Sequence, residues 1–147
     1  MTATATNPVT TASTTDLAAT LLRVTSAPVE NIDGATKAFI DDMFETMYAA
    51  SGVGLAAPQI GMDIRLFVVD GRPMNEGEKD EDVDQSLIGF KKVFVNPTII
   101  EETGDEWGFE EGCLSIPGIR GEVYRPEYVK IHYWTEQGEK EQTFSKV

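Results

Sequence analysis

The chain has 147 residues, of which 25 are acidic, 12 are basic and 41% are hydrophobic, and its net charge is −13. This length and hydrophobic content suit one domain with a sizeable core. The acidic balance repels phosphate backbones and anionic lipids, so it argues against direct nucleic-acid binding and against a membrane partner. No apolar run approaches the roughly 20 residues that span a bilayer. The single cysteine excludes an intramolecular disulfide, which permits a reducing compartment.

The N-terminal segment, residues 1–15, is rich in Thr and Ala and contains no Lys or Arg. It lacks the basic start of a secretory signal and the arginines of a mitochondrial presequence, although plastid transit peptides can also be rich in Thr and Ala. We predict a disordered tail, because the segment has too few large apolar groups to offset its ordering entropy. A cytoplasmic location is therefore expected, with an organelle stroma or matrix as the alternative.

The next segment predicts an α-helix with one apolar face. Residues 16–32 suit either a short extended arm or a helical turn, and Asn31 or Asp33 can cap the helix that follows. Apolar side chains then recur at the three- and four-residue spacing of an amphipathic helix. They are Ile40, Met43, Phe44, Met47 and Tyr48. We expect the helix to end near Ser51-Gly52, where glycine lets the backbone turn.

The remainder of the chain predicts short strands that are mostly antiparallel. Residues 65–70 are typical of a buried strand, and the acidic residues 75–84 are typical of a solvated loop. Further strands are predicted at 92–96, 98–102, 106–110, 123–125, 128–135 and 140–144. We expect Pro97 to end or bend its strand and Gly104-Asp105 to turn a hairpin, with Pro126-Glu127 separating two strands. The pattern predicts one α+β domain over residues 16–147.

Cys113 is the first candidate for chemistry. A lone cysteine is more often a small buried hydrophobe. Here, however, glycine precedes it and two glutamates precede that glycine, which is an unusual setting for an apolar residue. Its thiolate would suit Zn²⁺ or Fe²⁺. A catalytic metal needs about three protein ligands, and the only histidine of the chain is His132.

His132 lies in a predicted strand, where side chains alternate between faces. The alternation groups it with Lys130, so we expect a solvent-facing histidine. The alternative is a Cys113–His132 dyad, in which a thiolate nucleophile is paired with an imidazole base.

A second candidate is the string Gly-Val-Gly-Leu-Ala-Ala-Pro-Gln at residues 52–59. Its small residues predict a tightly packed backbone whose own amides and carbonyls are presented for binding. The side-chain amide of Gln59 can donate a hydrogen bond to a developing oxyanion. A phosphate-binding loop would need Lys and Ser or Thr instead.

This string and the string Glu-Gly-Cys-Leu-Ser at residues 111–115 together resemble the first two signature motifs of the peptide deformylases. Those metalloenzymes remove the formyl group from the N-terminal methionine of new bacterial and organellar proteins. The resemblance extends from about Leu22 to the C-terminus. It implies a deformylase-like α+β fold with one N-terminal helix followed by mostly antiparallel strands. Its implied partners are N-formylmethionyl peptides, met as nascent chains in transient contact with the ribosome.

The resemblance also implies roles for individual residues. Cys113 would be a ligand of a divalent metal, natively Fe²⁺ and often Zn²⁺ or Ni²⁺ in purified material. The backbone N–H of Leu114 and the side chain of Gln59 would stabilise the oxyanion.

Substrate-binding roles follow from the same resemblance. The backbone of Gly54 would bind the peptide as an added strand. Val53 and Arg120 would border the pocket for the methionine side chain. Glu111 would pair with Arg125 and support the cysteine loop.

The third family motif, a helical H-E-x-x-H, does not occur in these 147 residues. We therefore expect a domain that is incomplete at its C-terminus and lacks the metal-binding core helix. Two imidazole ligands and the catalytic carboxylate would be missing with that helix. The chain as given would then be inactive and would bind no metal. The alternative is a non-catalytic relative that binds formyl-peptides or peptides through the same groove.

Overall fold

The computed structural model describes residues 25–79, 81–113 and 116–145. The predicted tail at residues 1–15, and the first part of the segment that follows it, lie outside these residues. The elements in chain order are helix α1 (Gly34–Ala49) and strands β1 (Gly54–Ala56), β2 (Leu66–Asp70), β3 (Lys91–Cys113), β4 (Ile116–Thr135) and β5 (Gly138–Ser145). One helix followed by antiparallel strands is the predicted α+β pattern. In the described part of the chain, no helix has the length and apolar character needed to cross a membrane.

Helix α1 begins and ends close to the predicted positions. Asp33 is its N-cap, and Oδ1 of Asp33 accepts a hydrogen bond from the Thr36 N–H at 2.9 Å. The left-handed residue after the helix is Ser51, with φ of 55°, so the expectation that Gly52 makes the turn is wrong. The Gly52 N–H instead donates to the Met47 carbonyl at 2.9 Å, which closes the helix end.

The five strands form one antiparallel sheet in sequential order, β1-β2-β3-β4-β5. Helix α1 packs on one face of this sheet. The buried residues of that core are Val29, Ile40, Met43, Phe44, Met47, Leu55, Ala57, Leu66, Val68 and Val95. The opposite face carries a second cluster around Phe94, Tyr133 and Phe144. Both faces of the strands are therefore apolar at the end of the sheet where α1 lies.

Strands β3 and β4 form a long continuous pair, so the predicted hairpin at Gly104-Asp105 is wrong. The residues before and after that dipeptide both pair with β4: Thr103 lies opposite Tyr128, and Glu106 lies opposite Pro126. The Gly-Asp signal marks a register shift within one strand, and φ of Gly104 is 88°. The predicted break at Pro126 is wrong for the same reason, because β4 runs through it.

Asn96 anchors the segment that precedes α1 to the sheet. Its Oδ1 accepts from the Val29 N–H and its Nδ2 donates to the Val29 carbonyl, both at 2.8 Å. Asn96 has a φ of 50°, and the ladder shifts register between Val95 and Thr98. Pro97 therefore lies at a bend in β3 and does not end the strand. The arm itself forms a parallel bridge between Ala27 and Ile64, so it is extended there.

Candidate substrate-binding and catalytic site

Among the described residues, strand β1 lies at the edge of the sheet and has β2 as its strand neighbour. The Val53 carbonyl accepts a hydrogen bond from the Asp70 N–H at 2.8 Å, so Val53 directs its carbonyl toward β2. Backbone groups alternate in direction along an antiparallel strand. Gly54 therefore directs its own N–H and carbonyl away from β2, toward the open edge. An extended peptide can form main-chain hydrogen bonds at such an edge.

Gln59 follows β1 in a 3₁₀ turn, Ala57–Ile60, and its side chain folds back on the strand. Its Oε1 accepts from the Ala56 N–H at 2.8 Å. Its Nε2 lies 4.0 Å from Sγ of Cys113. Because the Ala56 N–H is a donor, it fixes the amide with Oε1 toward β1 and Nε2 toward the cysteine. The structure thus brings the two sequence motifs together at the open edge of β1.

Cys113 is the last residue of β3, and its thiol is free and exposed. It lies opposite Ile116 of β4 in the strand register, at the tip of the long β3–β4 pair. Leu114 lies outside the described residues, so its predicted role as an N–H donor to the oxyanion stays a prediction. An exposed thiol beside a fixed amide donor is available to an incoming ligand.

Glu111 and Arg125 join β3 to β4 two residues before the cysteine. Arg125 Nε donates to Glu111 Oε1 at 2.5 Å, and Arg125 Nη2 donates to Glu111 Oε2 at 2.8 Å. These hydrogen bonds hold the pKa of the Glu111 carboxyl below its usual value, against the opposing effect of partial burial. The resemblance implies that Glu111 pairs with Arg125, and in the structure this pairing is made by two hydrogen bonds. It links β3, which ends at Cys113, to the neighbouring strand β4.

Val53 and Arg120 lie in different places. The Val53 side chain is 42% exposed and lines a cavity at the end of α1. Arg120 lies on the exposed β3–β4 pair, where its Nη1 is 3.6 Å from Oε1 of Glu110. Within the described residues, these two side chains line separate cavities. Their shared methionine pocket therefore stays a prediction.

His132 lies on β4 opposite Thr98, far along β3 from Cys113. Its Nε2 is 3.3 Å from Oε2 of Glu139 on β5. Lys130, two residues earlier on β4, also pairs with a carboxylate on β5, and the two side chains lie on the same face of β4. The structure does not bring His132 and Cys113 together.

The residues present do not fit a complete metal centre. Among residues 25–79, 81–113 and 116–145, no group of three His, Cys, Asp or Glu side chains is placed to hold an ion. Cys113 could supply one ligand, whereas a catalytic ion takes about three from the protein.

A polar cluster that the sequence did not reveal lies where β2 ends. Asp70 is fully buried, and its carboxylate accepts from the Tyr48 hydroxyl at 2.5 Å and from Arg72 Nε at 2.8 Å. The Arg72 hydrogen bonds, and secondarily the Tyr48 hydroxyl, hold the pKa of Asp70 far below its usual value. The one signal in the sequence is a carboxylate that ends an apolar strand. Such a residue must find partners when it is buried.

Comparisons with protein-family models, with curated proteins and with solved structures all give the same family. The sequence family described as Polypeptide deformylase matches residues 11–146. The peptide deformylase of Christiangramia forsetii is 51% identical over 102 residues, which are 69% of this chain and 52% of that protein. The peptide deformylase of Flavobacterium johnsoniae is 52% identical over 101 residues, which are 68% of this chain and 52% of that protein. The chain belongs to the peptide deformylase family.

Solved structures support the fold. A peptide deformylase from Synechococcus elongatus, in complex with actinonin, is 36% identical with a TM-score of 0.70, over 86% of this chain and 64% of that one. A peptide deformylase from Legionella pneumophila is 41% identical with a TM-score of 0.69, over 86% of this chain and 68% of that one. The chain spans about half the length of the curated relatives it matches.

Proposed function

We propose that these residues form the peptide-binding and carbonyl-polarising part of a peptide deformylase. The substrates would be N-formylmethionyl peptides, met as nascent chains in the cytoplasm, and the reaction is hydrolysis of the formyl amide. Family membership supports the reaction class, and the open edge of β1 beside Gln59 supports the mode of binding.

The peptide would bind as a strand along β1. Gly54 offers an N–H and a carbonyl at the open edge, as the direction of the Val53 carbonyl requires. The formyl group would lie near Gln59, because the Nε2 donor of that side chain lies beside the edge of β1. The peptide would then run from Ala56 toward Val53, antiparallel to β1. Recognition of this kind relies on main-chain hydrogen bonds and tolerates many sequences.

Gln59 would donate from Nε2 to the formyl oxygen. During hydrolysis that oxygen gains negative charge as water adds to the carbon, and a donor already in place stabilises this charge without reorganising. The contact between the Ala56 N–H and Gln59 Oε1 supports this role, since it directs Nε2 toward Cys113 at the edge of β1. The backbone N–H of Leu114 would be the second donor.

The Cys113 thiolate would be one ligand of the Fe²⁺, Zn²⁺ or Ni²⁺ that the family implies. The 147 residues contain one histidine and no H-E-x-x-H string. We infer that they release no formate by themselves, while they still bind the peptide.

A non-catalytic peptide-binding function is the second candidate. One observation favours it: the described residues form the binding edge but no three-ligand cluster. A formate-release assay of these 147 residues tests both statements together, because hydrolysis of formyl-Met-Ala-Ser under Fe²⁺ or Ni²⁺ supplementation would contradict the binding module and also the inference that they release no formate by themselves.

The observation that carries the proposal is the open backbone of Gly54 beside the fixed amide of Gln59. Substituting Gly54→Pro removes the outward N–H, which is not needed for pairing with β2, so an edge strand tolerates it. Gly54→Ala keeps the N–H, and its added Cβ would lie 3.6 Å from the Val68 carbonyl oxygen, an ordinary contact. We expect formyl-Met-Ala-Ser to bind the Ala variant and to bind the Pro variant several-fold more weakly. Equal affinity for both variants would contradict binding as an added strand.

A further inference from the structure

The connection from α1 to β1, residues 50–53, leads directly into the edge strand that the peptide would use. It is largely exposed: Ser51 is exposed, and Val53 is 42% exposed. A cavity of about 760 Å³ lies beside the connection, and Ser51, Gly52 and Val53 form part of its lining. Packing of buried apolar groups therefore does little to hold this connection, so its hydrogen bonds decide how β1 begins.

Asp70 holds both ends of the connection, each through a different group. Its backbone N–H donates to the Val53 carbonyl at 2.8 Å, just before the start of β1. Its carboxylate accepts from the Tyr48 hydroxyl at 2.5 Å, in the last turn of α1. One residue of β2 thus links the end of the helix to the beginning of the edge strand.

The Asp70 carboxylate is itself held by several donors. It is fully buried and accepts from the backbone N–H, Nε and Nη2 of Arg72, at 3.0, 2.8 and 2.5 Å. Arg72 also balances the buried charge, which would be costly to desolvate without a partner. These hydrogen bonds orient the carboxylate, so the Tyr48 hydroxyl is bound to an acceptor that is already in place.

The Val53 carbonyl belongs to the same peptide group as the Gly54 N–H. In a planar trans peptide the carbonyl and the N–H point in opposite directions. Because the Asp70 N–H draws the carbonyl toward β2, the Gly54 N–H points toward the open edge. Rotation of this peptide group would break the hydrogen bond to Asp70. The contact with Asp70 therefore sets the direction of the donor that an added strand would use.

We propose that Asp70 and Tyr48 are positioning residues, which hold the Val53–Gly54 peptide group in the orientation that receives an N-formyl peptide. The inference rests on the proposed function, because it needs the peptide on the edge of β1. Both residues act through Val53 and not by contact with the peptide. Loss of the Tyr48 hydroxyl would loosen the link between α1 and β1, so that binding would also have to order the edge strand.

Asp70→Asn disturbs the contacts with Arg72 and Tyr48 together, so the milder Tyr48→Phe is the test variant. The measurement is fluorescence anisotropy of formyl-Met-Ala-Ser, labelled at the C-terminus, under conditions in which circular dichroism shows every variant to be folded. We expect Tyr48→Phe to weaken binding about two- to tenfold. Asn96→Ala is the matched control, because it also removes hydrogen bonds of the folded state but acts on the segment before α1, at Val29. It should bind the peptide as the wild type does.

Hydrogen exchange at the Asp70 N–H reports the contact with Val53 without any peptide. Tyr48→Phe and Asn96→Ala are compared at equal free energy of unfolding, so that global unfolding contributes equally to both rates. We expect faster exchange in Tyr48→Phe, because local opening between Asp70 and Val53 adds to global unfolding there.

Three results would overturn the positioning role while leaving the proposed function intact. The first is wild-type affinity in Tyr48→Phe. The second is an equal loss of affinity in Tyr48→Phe and Asn96→Ala, since that would show a general effect of stability. The third is equal exchange at the Asp70 N–H in the two variants. Failure of the wild-type protein to bind the peptide would overturn the proposed function, and the positioning role with it.

Discussion

Nε2 of Gln59 lies 4.0 Å from Sγ of Cys113, although 54 residues separate the two in the chain. This contact joins the turn that follows β1 to the end of β3. The turn after β1 positions the amide, and the end of the long β3–β4 pair positions the thiol. The Ala56 N–H fixes which end of the amide faces the cysteine. The donor is therefore oriented before any ligand arrives, which is the condition for effective stabilisation of an oxyanion.

The hydroxyl of Tyr48 should contribute measurably to stability. Tyr48→Phe leaves one oxygen of the fully buried Asp70 carboxylate without its hydroxyl donor. Hydrogen bonds to charged groups contribute about 1.5–3 kcal/mol, so we expect a loss of this size in the free energy of unfolding. Urea denaturation measures it. Tyr124→Phe is the control: Tyr124 is 60% exposed, and a change within about 0.5 kcal/mol is expected there. Equal effects of the two substitutions would contradict the assignment.

Acid should destabilise the fold because it protonates the carboxylates of Asp70 and Glu111, which are hydrogen-bonded in the folded state. Hydrogen bonds from Arg72 and Arg125 lower the pKa values of these two carboxyls in the folded state. A lowered folded pKa stabilises the protein above the unfolded value, about 4, and this contribution is lost as pH falls through the folded value. The unfolding free energy should therefore fall from pH 5 toward pH 2.

Urea denaturation at several pH values in this range checks the prediction. Asp70→Asn should flatten the dependence on pH. Asp41→Asn, on the exposed side of α1, should leave it unchanged. A wild-type stability that rises as pH falls would reverse the sign and contradict the argument.

Asn96 should show two separable contributions. Asn96→Ala removes both hydrogen bonds to the Val29 backbone and also places a Cβ residue without a polar side chain at φ of 50°. We expect a loss of about 2–3 kcal/mol, about 1 kcal/mol of which reflects the left-handed backbone. Asn96→Gly removes the hydrogen bonds alone, so it should be the milder change. Hydrogen exchange at the Val29 N–H should accelerate in both variants, and an unchanged rate would contradict the anchor.

The elements with local signals could be predicted from the sequence. The spacing of apolar residues located α1, and Asp33 was one of two candidate caps. The hairpin predicted at Gly104-Asp105 was wrong because a turn signal is local. The pairing of both flanking segments with β4 depends instead on residues that lie 20 or more positions away in the chain. A glycine at positive φ serves a bulge inside a strand as well as a turn.

The site was predictable only in part. The meeting of Gln59 and Cys113 followed from the family resemblance, since no periodicity relates the two motifs. The cluster of Tyr48, Asp70 and Arg72 could not be predicted, because it depends on how the end of α1 packs against the end of β2. Side-chain contacts between distant elements are set by tertiary packing, which a local pattern does not contain.

Metal binding by the 147-residue chain should be weak. Cys113 is the one cysteine available, and the described residues offer no three-ligand cluster around it. Equilibrium dialysis against Zn²⁺ followed by a chelator wash should leave less than stoichiometric metal, and Cys113→Ser should change little. One equivalent of zinc that survives the wash and disappears in Cys113→Ser would contradict this prediction.

The most direct test of the account is the affinity for formyl-Met-Ala-Ser of the wild-type protein, of Gln59→Glu and of Gln137→Glu. Glutamate at position 59 can still accept from the Ala56 N–H, but it replaces the Nε2 donor with an oxygen. Gln137→Glu adds the same charge in the exposed turn between β4 and β5. We predict that Gln59→Glu weakens binding about two- to tenfold, the range of one lost hydrogen bond, while Gln137→Glu matches the wild type. Wild-type affinity in Gln59→Glu would contradict the claim that Gln59 recognises the formyl group.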